Sequence, residues 1–351
     1  EWEIKSFETT DWQMGRAGKQ KDMTYVNGKA SGYTKDSGEI NRVWLHRINV
    51  KFTRKTMEIR AKGAIYQMVE EAKTLIPKVP KINYPKNKEG MLYEISLPDI
   101  HFGRLTWHEE SGEDYDVKIA DAAVNKVLDE LLGYTRLYPI AEILLPIGND
   151  FFNFDNKAGT TTGGTPQQND TRWQKTYKLG RLLATMMIEK CMQIAPTTCL
   201  IVKGNHDEQL NFCMGDALEV RFNGNPNVTI DNSPKGRKYK LFGKNLIGFA
   251  HGYWERLSDL SNLMPVESPE WWAVSTYREF HTGDKHHIKE YQSDFRLKAE
   301  ELHGVLVRII PSITVADGWT IDKGFVGSRR AAQSFLYHPT EGLKGMFTAC
   351  P

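Results

Sequence analysis

A chain of 351 residues, 40% hydrophobic and 26% charged, can bury a sizeable core as one large domain or two ordinary ones. No run of about 18 apolar residues exists, and the N-terminus lacks the basic, apolar, small-residue order of a secretory signal, so a soluble, non-membrane protein is expected. The net charge of +2 is unevenly spread: residues 1–90 hold 18 Lys plus Arg against 11 Asp plus Glu, which either suits a polyanion or is only a solvated surface.

Residues 24–54 mix Gly and Asn turn signals with alternating stretches such as Val43 to Val50, which predicts one or two strands or hairpins. A helix is expected over 56–76, stopped by Pro77 and Pro80, and Pro80 to Gly90 reads as a boundary loop. The expected domains are therefore a basic N-terminal extension or small α+β module over 1–88 and a second, larger domain over 89–351. After Gly90 the pattern alternates: strand Leu92–Leu97, helix Val117–Leu132, strand Ala141–Ile147, helix Trp173–Ile194, strand Thr198–Val202, helix Glu208–Phe222. Such alternation predicts an α/β domain with its ligands on loops at the C-terminal ends of strands. From Val228 the strands shorten, at Val228–Asp231, Lys238–Phe242, Leu246–Ala250, Val305–Ile310 and Ser334–Tyr337, and a second, more antiparallel sheet is expected there. Four cysteines, Cys191, Cys199, Cys213 and Cys350, show no CxxC spacing, so reduced thiols and a cytoplasmic compartment are expected. A chain that opens on Glu1 rather than Met reads as a processed form or a piece of something longer.

Five polar clusters each follow an apolar run: Asp99-Ile100-His101, Gly148-Asn149-Asp150, Gly204-Asn205-His206-Asp207, His251-Gly252, and Gly283-Asp284-Lys285-His286-His287. Carboxylate, imidazole and amide donors in this mixture suit two divalent transition metals about 3.5–4 Å apart. A carboxylate bridges two cations better than an amide does, which selects Asp150 over Asn149 as the bridge. Asn205 can ligate through its amide oxygen, leaving His206, with Asp207 beside it, as the catalytic candidates. The bland alternative is that Asn205 to Asp207 only make a turn and N-cap for the following helix.

These motifs resemble the calcineurin-like metallophosphoesterase superfamily, whose pattern is D-x-H, G-D, G-N-H-D or G-N-H-E, G-H or H, then G-H-x-H. The resemblance covers roughly residues 90–315. It implies a sandwich of two mixed β-sheets flanked by helices. It further implies that Asp99, His101, Asp150 and His286 hold one metal, that Asp150, Asn205 and His251 hold the other, and that His206 lies beside the scissile phosphate. Two divalent ions, Mn²⁺ first and otherwise Mg²⁺, Fe²⁺ or Zn²⁺, would activate water for in-line attack on phosphorus. Two departures stand out. The family's G-D carries an inserted Asn149, and Asp284 sits where a histidine ligand is usual. Asp284 is the favoured replacement ligand, with His281 or His287, or a weakly held second metal, as the alternatives, and oxygen in place of nitrogen favours Mn²⁺ or Mg²⁺ over Zn²⁺.

After Asp150 come Phe151 to Asp155 and a Gly, Thr and Gln rich segment from Asn156 to Thr171. Its position behind a metal ligand makes Asn153, Thr161 and Thr162 the substrate-binding candidates, unless the segment is simply a surface loop. Together with Gly327-Ser328-Arg329-Arg330-Ala331-Ala332, these stretches resemble metallophosphoesterases of tailed phages and prophages described as DNA repair exonuclease-like. That resemblance implies a phosphodiesterase acting on nucleic acid, DNA first, in a bacterial or phage-infected cytoplasm. Lys51, Arg54, Lys55, Arg60 and Lys62, with Trp44 and Phe52 nearby, could track a phosphate backbone and stack bases, or the aromatics could be core. Trp271, Trp272, Tyr277 and Phe280 read as packing. The competing functions are a phosphomonoesterase or small-molecule phosphoesterase with the same metals, and a non-catalytic scaffold.

Overall fold

The computed structural model describes residues 2–54, 90–284, 299–322 and 329–351, with Gly63, Tyr66, Gln67, Ile82 and Tyr84. The chain divides into two units, Glu1–Lys78 and Val79–Pro351. The first holds an antiparallel hairpin of two long strands, β1 (Trp2–Val26) and β2 (Lys29–Arg54). Asn27 and Gly28 turn it with φ of 51° and 75°, the left-handed pair that a two-residue hairpin loop requires. The stretch 24–54 is thus extended as predicted, whereas β1, too irregular in polarity to signal a strand, is unforeseen. Trp44 and Phe52 are exposed on β2 rather than packed in a core. The helix expected over 56–76 and the boundary loop after it lie almost entirely outside the described residues, although Gly63, Tyr66 and Gln67 are helical.

In the second unit the strands are β3 (Met91–Ser96), β4 (Ile140–Gly148), β5 (Thr197–Val202), β6 (Val228–Asp231), β7 (Lys238–Phe242), β8 (Asn245–Ala250), β9 (Tyr277–Thr282), β10 (Ala299–Leu302), β11 (Val305–Ile309), β12 (Ala332–His338) and β13 (Gly342–Ala349). The helices are α1 (His108–Ser111), α2 (Val117–Tyr134), α3 (Trp173–Met192), α4 (Glu208–Phe222), α5 (Leu257–Glu267), α6 (Pro269–Val274) and α7 (Gly318–Asp322). Among the described residues, no helix is long and apolar enough to cross a membrane.

Apolar periodicity explains the main elements. Along α2, Val117, Ala120, Val124, Val127, Leu128 and Leu131 recur at helical spacing and are all buried, and the Asp116 carboxylate caps the helix by accepting from the Lys118 and Ile119 amides. β4 is apolar through Ile143 to Ile147 because both its faces are covered. Two mixed sheets result, in the orders β13-β12-β3-β4-β5-β6 and β10-β11-β9-β8-β7. β3, β4, β5 and β6 are mutually parallel, as are β8, β9 and β11. This corrects the expected partition, since Val228–Asp231 and Ser334–Tyr337 belong to the first sheet. Local sequence could not show it, because β12 inserts between β13 and β3 through pairing across more than 200 residues of chain.

The sheets stack face to face. Leu92, Leu144, Leu200, Val202, Phe335 and Tyr337 of the six-stranded sheet form one cluster with Ile247, Phe249 and Ile310 from the other. Helices α2, α3 and α4 cover the outer face of the first sheet, and α5 covers the second through Leu260 and Met264. The order of layers is therefore helix, sheet, sheet, helix.

A charged network is sealed between the sheets. His281 of β9 bonds Glu94 of β3 at 2.6 Å and Glu279 at 3.3 Å, and Arg308 donates to Glu279 at 2.6 Å. Burial alone would depress the imidazole, but Glu94 and Glu279 outweigh it and raise the pKa from 6.5 to about 9. A raised folded-state pKa stabilises fully below the unfolded value and progressively less as pH climbs through the folded one. The difference in urea midpoint between wild type and His281→Gln is therefore expected to be greatest near pH 6 and to shrink as pH passes about 9. A difference that grows toward alkaline pH would contradict the charged network.

Candidate metal centre

The described ligand candidates of the five clusters lie just past the C-terminal ends of parallel strands: Asp99 and His101 after β3, Asp150 after β4, Asn205 and His206 after β5, His251 after β8 and Asp284 after β9. Parallel strands bring those ends to one edge of the stacked sheets, where loops can converge. The backbone there is strained. Asp99, His101, Asn149, Asp150 and Asp284 all have positive φ, between 48° and 61°, which non-glycine residues seldom adopt. The strained turns are tied to one another: the Asp99 amide donates to Asn149 O at 2.7 Å, the His101 amide to Asp150 O at 3.0 Å, and the Gly283 amide to His251 O at 3.0 Å. Glycines make the approach possible. A Cβ on Gly204 would lie 2.0 Å from the Asp150 carboxylate, and one on Gly283 would lie 2.6 Å from that of Asp99.

Two donor groups emerge, His101 with Asp150 and His206, and Asp99 with Asp150 and His251, the ligand atoms of each lying within 4.8 Å of one another. Asp150 is common to both. Its Oδ2 lies 3.2 Å from His251 Nε2 and 3.9 Å from His206 Nε2, while its Oδ1 accepts the His206 amide at 2.8 Å. Asn205 Oδ1 is 2.7 Å from His251 Nε2, and Asp284 Oδ1 is 3.9 Å from the same nitrogen. Asp284 is also anchored through its amide, which donates to Asp99 at 3.0 Å. The structure thus brings together Asp99, His101, Asp150, Asn205, His206, His251 and Asp284. Asp99 groups with Asp150 and His251. His286 and the alternative His287 lie outside the described residues, and His281 is engaged with Glu94 between the sheets.

The electrostatics fit a cation. Burial raises Asp99, and the neighbouring Asp150 and Asp284 carboxylates push it further up against the pull of His251. Burial would raise Asp150 too, but His251 and His206 overcome this and hold it below the ordinary carboxylate range. Burial would lower His251, whereas Asp150, Asp99 and Asp284 raise it to about 10. Asp99, Asp150 and Asp284 thus converge on the buried His251 ring, a set of donors that could hold a divalent ion. Buried Nδ1 of His251 makes no hydrogen bond among the described residues, so the outer acceptor that usually backs a metal-binding imidazole is not seen for it. The ring of His206 has such a partner, with Nδ1 3.1 Å from Asn153 O.

The remaining candidates sit behind the site. Asp207 is fully buried, accepts the Phe152 amide at 2.8 Å, and is raised well above the ordinary range by burial and then by Asp150, so it braces the loop behind the Asp150 carboxylate. The Asn153 side chain is buried among Arg104, Gln168 and Asn169 and reaches the site only through its carbonyl. Thr161 Oγ1 accepts the Thr165 amide within its own loop. Thr162 Oγ1 donates to Asp155 Oδ2 at 2.9 Å and accepts the Glu208 amide, while its own amide donates to Asn205 O at 3.3 Å. The Thr-rich loop therefore holds Asn205 in place.

Sequence reasoning missed Asp155, whose Oδ1 accepts from the Gln209 and Leu210 amides at 2.7 and 2.8 Å. It bonds the first turn of α4 from another loop, while Asp207 at the N-cap position makes no side-chain cap of its own, and no local signal marks a partner supplied at such a distance. It also missed Arg104, buried and bonded to Asn153 Oδ1 and Val315 O. No protein-family model and no curated protein matches this chain.

Proposed function

We propose that the chain is a two-metal phosphodiesterase of the calcineurin-like metallophosphoesterase type and that its substrate is nucleic acid, DNA first. The observation that carries this reading is the convergence of Asp99, His101, Asn205, His251 and Asp284 on the Asp150 carboxylate at the ends of parallel strands, with His206 beside it. The stacked mixed sheets with helices outside agree with a metallophosphoesterase sandwich. When bound, the ions supply activated water and neutralise the charge that builds on the phosphoryl oxygens. Asp150 would hold both ions, Asp99, His101, Asn205, His251 and Asp284 would complete the two ligand sets, and His286 is an additional ligand by sequence position. His206 donates from Nδ1 to the Asn153 carbonyl, which fixes the ring and leaves Nε2 to carry a proton to the leaving oxygen. Asp207 acts indirectly, by keeping Phe152 and the Asp150 loop in place. A cytoplasmic setting accords with the free thiols of Cys191, Cys199, Cys213 and Cys350.

The test is Mn²⁺-dependent cleavage of linear and circular DNA, single and double stranded, by wild type and His206→Ala. Cleavage is expected in wild type, abolished by a chelator, and slowed in the variant by about 10²–10⁴-fold, the range for loss of general acid catalysis. Rapid hydrolysis of a simple phosphomonoester with no DNA cleavage would replace this reading with a phosphatase.

A further inference from the structure

Directly after His251 and Gly252 the chain presents two aromatic side chains to solvent, Tyr253 at 55% and Trp254 at 47% relative exposure. Single exposed apolar residues are ordinary, but adjacent aromatics at the rim of a charged site waste burial unless something covers them. Their geometry is fixed. The two rings meet edge to face with centroids 5.4 Å apart, and the Trp254 ring lies 6.1 Å from that of His251. Lys203, at the exit of β5 just before Gly204-Asn205-His206, holds its ammonium 4.3 Å from the Trp254 ring centroid. The loop is pinned on its far side by Glu255, which is bonded to Arg237 at 2.8 Å. Lys203 also lies 3.4 Å from Glu208, a contact long enough to leave its ammonium able to turn to another anion.

Lys203 lies over one face of the Trp254 ring, so a base would stack on the opposite face while the ammonium meets the phosphate, the two elements that recognise a nucleotide. A base within a duplex has both faces covered, whereas an unpaired base has one to offer. We propose that Trp254, buttressed by Tyr253 and Lys203, is a ledge that stacks an unpaired nucleobase beside the metal centre, so that the strand is single-stranded where it is cut. This rests on the phosphodiesterase reading for the cutting, but the stacking itself is a separate property of the surface.

Binding is measured in EDTA at low salt, so that hydrolysis plays no part, with a labelled oligothymidylate and an abasic oligomer of the same length and charge. Wild type is expected to bind the base-bearing strand about tenfold tighter or more, since stacking on an aromatic side chain has effects of this order. Trp254→Ala should bind both strands alike, and Trp254→Phe should restore most of the difference. Equal binding of the two strands by wild type, or a Trp254→Ala loss that falls equally on both, overturns the ledge. The same oligomers incubated with Mn²⁺ report on the other reading: a base preference in binding with no hydrolysis sinks the phosphodiesterase and leaves the ledge standing.

Discussion

Asp150→Asn is expected to abolish hydrolysis while the protein stays folded. The substitution preserves shape, and an amide oxygen can still accept the His206 amide that Asp150 Oδ1 accepts at 2.8 Å. What it removes is the charge common to both donor groups and the second oxygen, which lies 3.2 Å from His251 Nε2. An amide offers one oxygen where a bridge needs two. Loss of an outer partner of a metal ligand costs about 10–100-fold, so loss of a shared ligand should exceed about 100-fold in activity. Stability gives an independent readout. An ion at a hundred times its dissociation constant stabilises the folded state by about 2.7 kcal/mol, a rise in Tm of roughly 5–10 °C. Wild type should show that rise with Mn²⁺ and Asp150→Asn should not, each measured against its own Tm in EDTA, since the substitution also removes the largest of the charges facing His251. A variant that keeps both activity and the Mn²⁺ shift would remove Asp150 from the site.

Gly148→Ala should be the most destabilising single methyl added near the site. Gly148 has φ of 117°, and a Cβ there would lie 1.9 Å from Val202 O and 2.6 Å from Asn211 Nδ2. Neither atom can yield cheaply. Val202 O accepts from the Asn149 amide and from Asn211 Nδ2, both at 2.8 Å, and Gly148 pairs with Val202 where β4 meets β5. Backbone strain and overpacking together cost about 3–5 kcal/mol, or a fall in Tm of roughly 10 °C. Gly163→Ala is the control, since its nearest neighbour is 3.9 Å away and its φ is not positive; it should change stability by less than about 0.5 kcal/mol. Chemical denaturation of both variants checks this, and similar losses in the two would mean that the Gly148 contact does not constrain the loop.

What the sequence disclosed follows from what local pattern can encode. β4 and α2 were legible because a strand covered on both faces is continuously apolar and a helix packed on one side is periodic. β9 was not, because Tyr277 to Thr282 carries Arg278, Glu279 and His281, charges that become acceptable only when Glu94 and Arg308 arrive from other strands. The sheet assignment of β6 and β12 failed for a related reason, since strand order is decided by partners distant in sequence. At the site, the residues at strand exits were legible because ligand-bearing types recur just past apolar runs, and the structure brings Asp99, His101, Asp150, Asn205, His206, His251 and Asp284 to one place. Supporting roles were harder to read. Thr162 could be seen to lie in a loop behind Asp150, but not that its hydroxyl would join Asp155 in capping α4. Trp254 carried no periodic signal, and its importance comes from its exposure and from Lys203 beside it.

The most direct test of the two-metal centre is a calorimetric titration of Mn²⁺ into chelator-treated protein. Two ions should bind per chain in wild type and at most one, weakly, in Asp150→Asn. A wild type that binds one ion or none, or a variant that binds as wild type does, would contradict an Asp150-bridged pair of metals.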